Sequence, residues 1–213
     1  FWRARARVTE LTLKGRDMKR LLITGASGGL GTEMRTRLKH LAPILRLSDI
    51  DDLGEAAENE ELVTCDLGDK AAVEELVKGC DGIVHFGGVS TENPWEPIKN
   101  ANIDGIFNLY EAARKHGSPR ILFASSNHAI GFYPQDQKID NTVYTQPDGL
   151  YGVSKVFGEA MANMYYCKFG IETAIVRIGS CFPEPTNHRM LSTWLSYADF
   201  ARMIERIFDV PKL

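Results

Sequence analysis

Nothing in this 213-residue chain marks it for a membrane, a metal or an oxidising compartment. No apolar run approaches the ~20 residues that a membrane-spanning helix needs. The four cysteines (Cys65, Cys80, Cys167 and Cys181) are scattered and form no C-x-x-C pair, which argues for free thiols in a reducing, cytoplasmic setting. His40, His85, His116, His128 and His188 show no ligand spacing, so no metal site is expected. Charge of one sign is also missing: the net value is -3 with the signs mixed, which gives no field for a nucleic acid. There is neither an internal repeat nor a low-complexity linker. What remains is a chain of the length of one α/β domain, long enough to bury a sizeable core.

Residues 1–17 read differently from the rest. Arg3, Arg5, Arg7, Lys14 and Arg16 make the segment basic, but no apolar stretch follows that would make a secretory signal. A transit peptide remains open, while Met18-Lys19-Arg20 has the look of a start. Residues 1–17 are therefore expected to be a non-core extension, and residues 18–213 the folded domain. Within that domain, apolar runs at Lys19–Thr24, Ile44–Ile50, Leu62–Leu67, Gly82–Gly87, Arg120–Ser126 and Glu172–Ser180 read as buried strands. Helical patterns lie between and after them, at Leu30–His40, Lys70–Lys78, Trp95–Lys115, Leu150–Lys168 and Ala198–Asp209. Alternation of this kind predicts a Rossmann-like, doubly wound parallel sheet with helices on both faces.

The turn after the first strand is Thr24-Gly25-Ala26-Ser27-Gly28-Gly29-Leu30-Gly31. Glycines at a strand-to-helix turn let the backbone approach a pyrophosphate, which then meets the free N–H groups of the helix. The spacing is G-x-x-G-x-x-G, and the absence of Lys-Ser/Thr after Gly31 rules out a Walker A loop. Asp49 follows Gly25 by 24 positions, where an acidic residue would accept from the adenosine ribose and repel a 2′-phosphate. NAD is thus favoured over NADP. Asp66, followed by Leu67, is placed to accept from the adenine amino group. Phe86-Gly87-Gly88-Val89 ends the fourth strand with small residues over which a cofactor can lie.

Tyr151 and Lys155 lie four apart in a helical pattern and so share a face. A phenol with its ordinary pKa near ~10 is a poor base, and a neighbouring ammonium is expected to lower that value. The pair follows the glycine turn and a strand ending Ser125-Ser126-Asn127. Ser125 is expected to point into the sheet, and Arg177 to serve as a structural ion-pair partner.

These features, with the blocks CDGIVHFGGVS, FASSNHAIGFYP, PDGLYGVSKVFGE and VRIGSCFPEPTNHRMLSTW, resemble the extended short-chain dehydrogenase/reductase superfamily. Within it the chain looks most like the bacterial uronate dehydrogenases. The resemblance implies oxidation of D-glucuronate or D-galacturonate at C1 to an aldarolactone with NAD⁺. It implies Tyr151 as base, Lys155 on the nicotinamide ribose and Ser126 on the reacting oxygen. Ser90, Asn127, His128 and Ser180 would read sugar hydroxyls, and Arg189 would grip the carboxylate. The partner implied is a small hexuronate, and a homo-oligomer is compatible with it.

Two other functions compete. A nucleotide-sugar epimerase or dehydratase, or another sugar dehydrogenase, would share the fold. A dehydratase, however, would be expected to carry an acidic pair where Asn127-His128 stands. A non-catalytic NAD-sensing regulator is the rival of another class, and such relatives tend to lose the tyrosine that is present here. The resembling enzymes continue beyond Leu213, so the chain reads as lacking a C-terminal segment. The final strand is therefore expected to have an unpaired edge.

Overall fold

A computed structural model describes residues 18–213. The expectation for residues 1–17 falls outside the described residues. Six parallel strands form one sheet in the order β3-β2-β1-β4-β5-β6. They are β1 (Arg20–Thr24), β2 (Ile44–Asp49), β3 (Glu60–Thr64), β4 (Gly82–His85), β5 (Arg120–Ser126) and β6 (Thr173–Ile178). The helices are α1 (Gly29–Arg37), α2 (Lys70–Val77), α3 (Trp95–Ile98), α4 (Gly105–Lys115), α5 (Leu150–Phe169), α6 (His188–Leu191) and α7 (Tyr197–Asp209).

The central strands β4 and β5 are buried along their whole lengths, because helices cover both faces and their apolar side chains meet a core on each. Alternation divides these residues between two layers. Leu22, Ile83, Ile121 and Phe123 pack with α2, α4 and α5, while Leu21, Ile23, Val84 and Leu122 pack with α1 and α7. Arg120 is fully buried yet fully served. It pairs with Glu172 and donates to the carbonyls of Ile207 at 2.6 Å and Val210 at 2.5 Å, which ties the end of α7 to β5.

The expected Trp95–Lys115 helix is present but not uniform: a π-helical stretch, Lys99–Asp104, interrupts it. The third strand begins earlier than its apolar run, at Glu60 and Glu61. Arg35 neutralises Glu60, and Arg20 and Arg46 neutralise Glu61, so acidic residues are tolerated at the sheet edge. The fourth strand stops at His85, short of the expected Gly87. Among the described residues β6 pairs only with β5, and Ser180 and Trp194 make an isolated bridge beyond it. No helix of the described residues is long and apolar enough to cross a membrane.

Candidate active site

The carboxyl ends of the strands open onto a cleft of about 810 Å³. One wall is the β1–α1 turn. Gly25 has φ +69°, and a Cβ there would stand 2.7 Å from Gly87 N. A Cβ on Gly31 would stand 2.0 Å from Gly25 O. Side chains are therefore excluded at both positions, which leaves a backbone cradle. No side chain caps the N-terminus of α1, and its first turn holds no acidic residue. Its orphan N–H groups and the positive end of its dipole suit a phosphate. Gly28, Gly29 and Leu30 line the same wall.

At the adenosine end, Asp49 Oδ2 accepts from Ser27 N at 2.9 Å and Oδ1 from Ile50 N at 2.8 Å. The carboxylate is thereby aimed into the cleft, with lone pairs left for hydroxyls. Asp66 accepts from Gly68 N at 2.8 Å and from Asn100 Nδ2 at 3.2 Å. Leu67, Phe86, Gly87, Gly88 and Val89 complete the floor. The residues present fit a dinucleotide: anion cradle, acidic hydroxyl acceptor and a long apolar floor stand in that order.

At the other end Ser126, Tyr151 and Lys155 are all buried and all face the cleft. The ammonium of Lys155 donates to Ala124 O at 2.8 Å and lies 5.4 Å from the centre of the Tyr151 ring. Burial pushes the Lys155 pKa down to about 8. Tyr151 departs from the sequence expectation, since its pKa is raised. Burial opposes the phenolate, and the hydrogen bond with Ser126 pulls the other way without offsetting it. The His128 ring meets that of Tyr151 edge-on at 5.5 Å, and its Nδ1 lies 2.9 Å from Asp148 Oδ1. A carboxylate at Nδ1 orients the ring and leaves Nε2 for another partner. Beneath them His85 is held neutral, its pKa pushed down to about 3 by burial and next by the Lys155 charge.

Ser90, Asn127 and His128 line the cleft. Ser180 does not: its hydroxyl is 3.1 Å from Thr193 Oγ1, and it belongs to the bridge with Trp194. Arg189 also stands off the cleft. It is exposed, on the short helix α6. Ser125 donates to Glu159 Oε1 at 2.6 Å, and Arg177 pairs with the same carboxylate, so both bind α5 to the sheet. Among the lining residues that sequence reasoning missed are Asn100, Phe182 and Tyr197. Asn100 lies in the π-helical stretch and Tyr197 opens α7, both outside the motifs, while Phe182 lies within the VRIGSCFPEPTNHRMLSTW block but has no polar group to single it out. Among the described residues no three His, Cys, Asp or Glu side chains converge as a metal site would require.

The strand order, the glycine cradle and the acidic residue closing β2 define a dinucleotide-binding domain of the Rossmann class. The chain belongs to the NAD dependent epimerase/dehydratase family, whose model matches residues 21–202. It is 61% identical over 196 residues to the uronate dehydrogenase of Agrobacterium fabrum, spanning 92% of this chain and 74% of that one. Among solved structures it is similar to a mutant uronate dehydrogenase from Agrobacterium tumefaciens complexed with NAD. The TM-score is 0.91 and the identity 60%, with 92% of this chain and 74% of that one covered. The glucuronic acid dehydrogenase of Chromohalobacter salexigens matches with a TM-score of 0.91 and 59% identity, over 92% of this chain and 74% of its own.

Proposed function

We propose that this chain is an NAD-dependent dehydrogenase that oxidises a hexuronic acid, D-glucuronate or D-galacturonate, at C1 to the aldarolactone. One observation carries the reading: a single cleft runs from a phosphate cradle at Gly25–Gly31 to Ser126, Tyr151 and Lys155. Residues 18–213 act as one NAD-binding domain that includes the start of the substrate region. Bound NAD supplies the hydride acceptor. Gly25, Gly28, Gly29, Leu30 and Gly31 hold its pyrophosphate, Asp49 its adenosine ribose, Asp66 its adenine and Lys155 its nicotinamide ribose.

The chain's own residues divide the remaining work. Ser126 Oγ hydrogen-bonds the C1 hydroxyl and orients it. Tyr151 Oη takes the proton of that hydroxyl as the C1 hydride departs, so substrate loses one proton and one hydride. An ammonium at Lys155 favours negative charge on the tyrosine oxygen, against the burial that opposes it. Ser90, Asn127 and His128, which line the cleft, read the ring hydroxyls. His128 is preset by Asp148, whose carboxylate holds Nδ1 at 2.9 Å. Arg189, exposed on α6 outside the cleft, is the guanidinium for a C6 carboxylate that projects out of it. The test follows NADH absorbance with a panel of uronic acids and neutral aldoses. Turnover confined to the uronates supports the reading, and equal turnover of neutral aldoses refutes it.

A further inference from the structure

Gly149 stands at the N-cap of helix α5 and has no side chain with which to cap it. Its first N–H groups are served from elsewhere in the chain. Glu92 Oε1 accepts from Leu150 N at 3.0 Å, across 58 residues, and Oε2 accepts from Tyr151 N at 2.9 Å. A carboxylate there satisfies two orphan donors and complements the helix dipole. A Cβ at position 149 would stand 2.4 Å from Glu92 Oε2, so the bare glycine is what admits the carboxylate.

The same loop is fastened to α5 at its other end. Asn102 accepts from Val89 N at 2.7 Å, donates to Val89 O at 3.0 Å and reaches Ser154 Oγ at 2.9 Å. Ser90 lies between the two fastenings and Tyr151 lies on the helix to which both lead. A local cap would stabilise α5 equally well without touching the Ser90 loop. A cap from Glu92, unlike a local one, adds a second tie between the Ser90 loop and α5.

We propose that Glu92 is a positioning residue for the base: it fastens the Ser90 loop to the first turn of α5 and so sets where Tyr151 stands relative to the substrate. The proposal rests on the dehydrogenase reading given above. Glu92→Ala should leave NAD affinity unchanged and lower kcat roughly tenfold or more, since a misplacement of about 1 Å can cost a hundredfold. Its Tm should also fall. The decisive variant is Glu92→Ala with Gly149→Asp, in which the new aspartate can cap α5 locally. Its Tm should recover while kcat stays low. The conservative Glu92→Asp, one methylene too short to reach both N–H groups unstrained, should keep Tm and lose part of kcat.

Hydrogen exchange gives a readout independent of turnover. In the double variant, amides at 150–152 should regain protection while those at 89–92 remain exposed. The proposal is overturned if kcat recovers together with Tm in the double variant, if Glu92→Asp matches the wild type, or if protection at 89–92 returns with the local cap. Failure of the wild type to oxidise any uronate would overturn the reading of function, and hydrogen exchange would still decide the fastening.

Discussion

Replacing Lys155 with methionine should make the protein more stable while abolishing its turnover. The lysine is 7% exposed, and its pKa is pushed from 10.5 down to about 8 by burial. At about 1.4 kcal/mol per unit, holding the charged form at pH 7 costs roughly 3 kcal/mol. Methionine fills a similar volume without the charge, but it forfeits the hydrogen bond to Ala124 O, worth about 1 kcal/mol. The remainder, about 2 kcal/mol, corresponds to a rise of roughly 4–8 °C in Tm for a domain of this size. The pH dependence has a definite sign. The folded-state pKa lies below the unfolded one, so the penalty is complete below about pH 8 and is relieved as the pH rises towards 10.5. The advantage of the variant should therefore disappear across that window. Calorimetry without NAD from pH 7 to 10.5, with NADH absorbance for turnover, measures both effects. A variant less stable than the wild type at pH 7, or a Tm gap that does not change with pH, would refute the reasoning.

Tyr151→Phe should abolish turnover with NAD binding nearly intact, as checked by NADH absorbance and titration calorimetry; substantial residual kcat would assign the base elsewhere. Asp49→Ala should relax the preference for NAD, because the carboxylate no longer repels a 2′-phosphate; the ratio of kcat/KM with the two cofactors measures this. Arg189→Ala should weaken uronate binding about ten- to a hundredfold, the worth of a charge-assisted pair. Neutral aldoses should be unaffected by that change, and equal losses for both would mean that α6 itself had been disturbed.

Much of the molecule could be read along the chain because its signals are local. Arg120–Ser126 was expected as a strand and is one, since its centre, Ile121–Ala124, is the apolar run that burial on both faces of a sheet favours. The glycine turn was legible for the same reason: only glycine tolerates the backbone contacts at Gly25 and Gly31. Tyr151 and Lys155 share a face through nothing more than helical periodicity.

Other features depended on residues that meet only in three dimensions. The strand ends at β3 and β4 depended on charge pairs across the sheet edge and on where the chain turns away. The raised pKa of Tyr151 is a matter of burial, which no spacing reveals. Asp148 meets His128 from 20 positions away, and Glu92 meets α5 from 58. Ser180 and Arg189 sit in motifs as telling as that of Ser126, yet the fold sets both off the cleft that Ser126 lines. The sequence by itself therefore determined the fold class, the cofactor turn and the Tyr151–Lys155 pair, because each depends on residues within a few positions of one another. The tertiary structure alone decided which groups surround that pair and what protonation they favour, because burial and long-range hydrogen bonds exist only once the layers have packed.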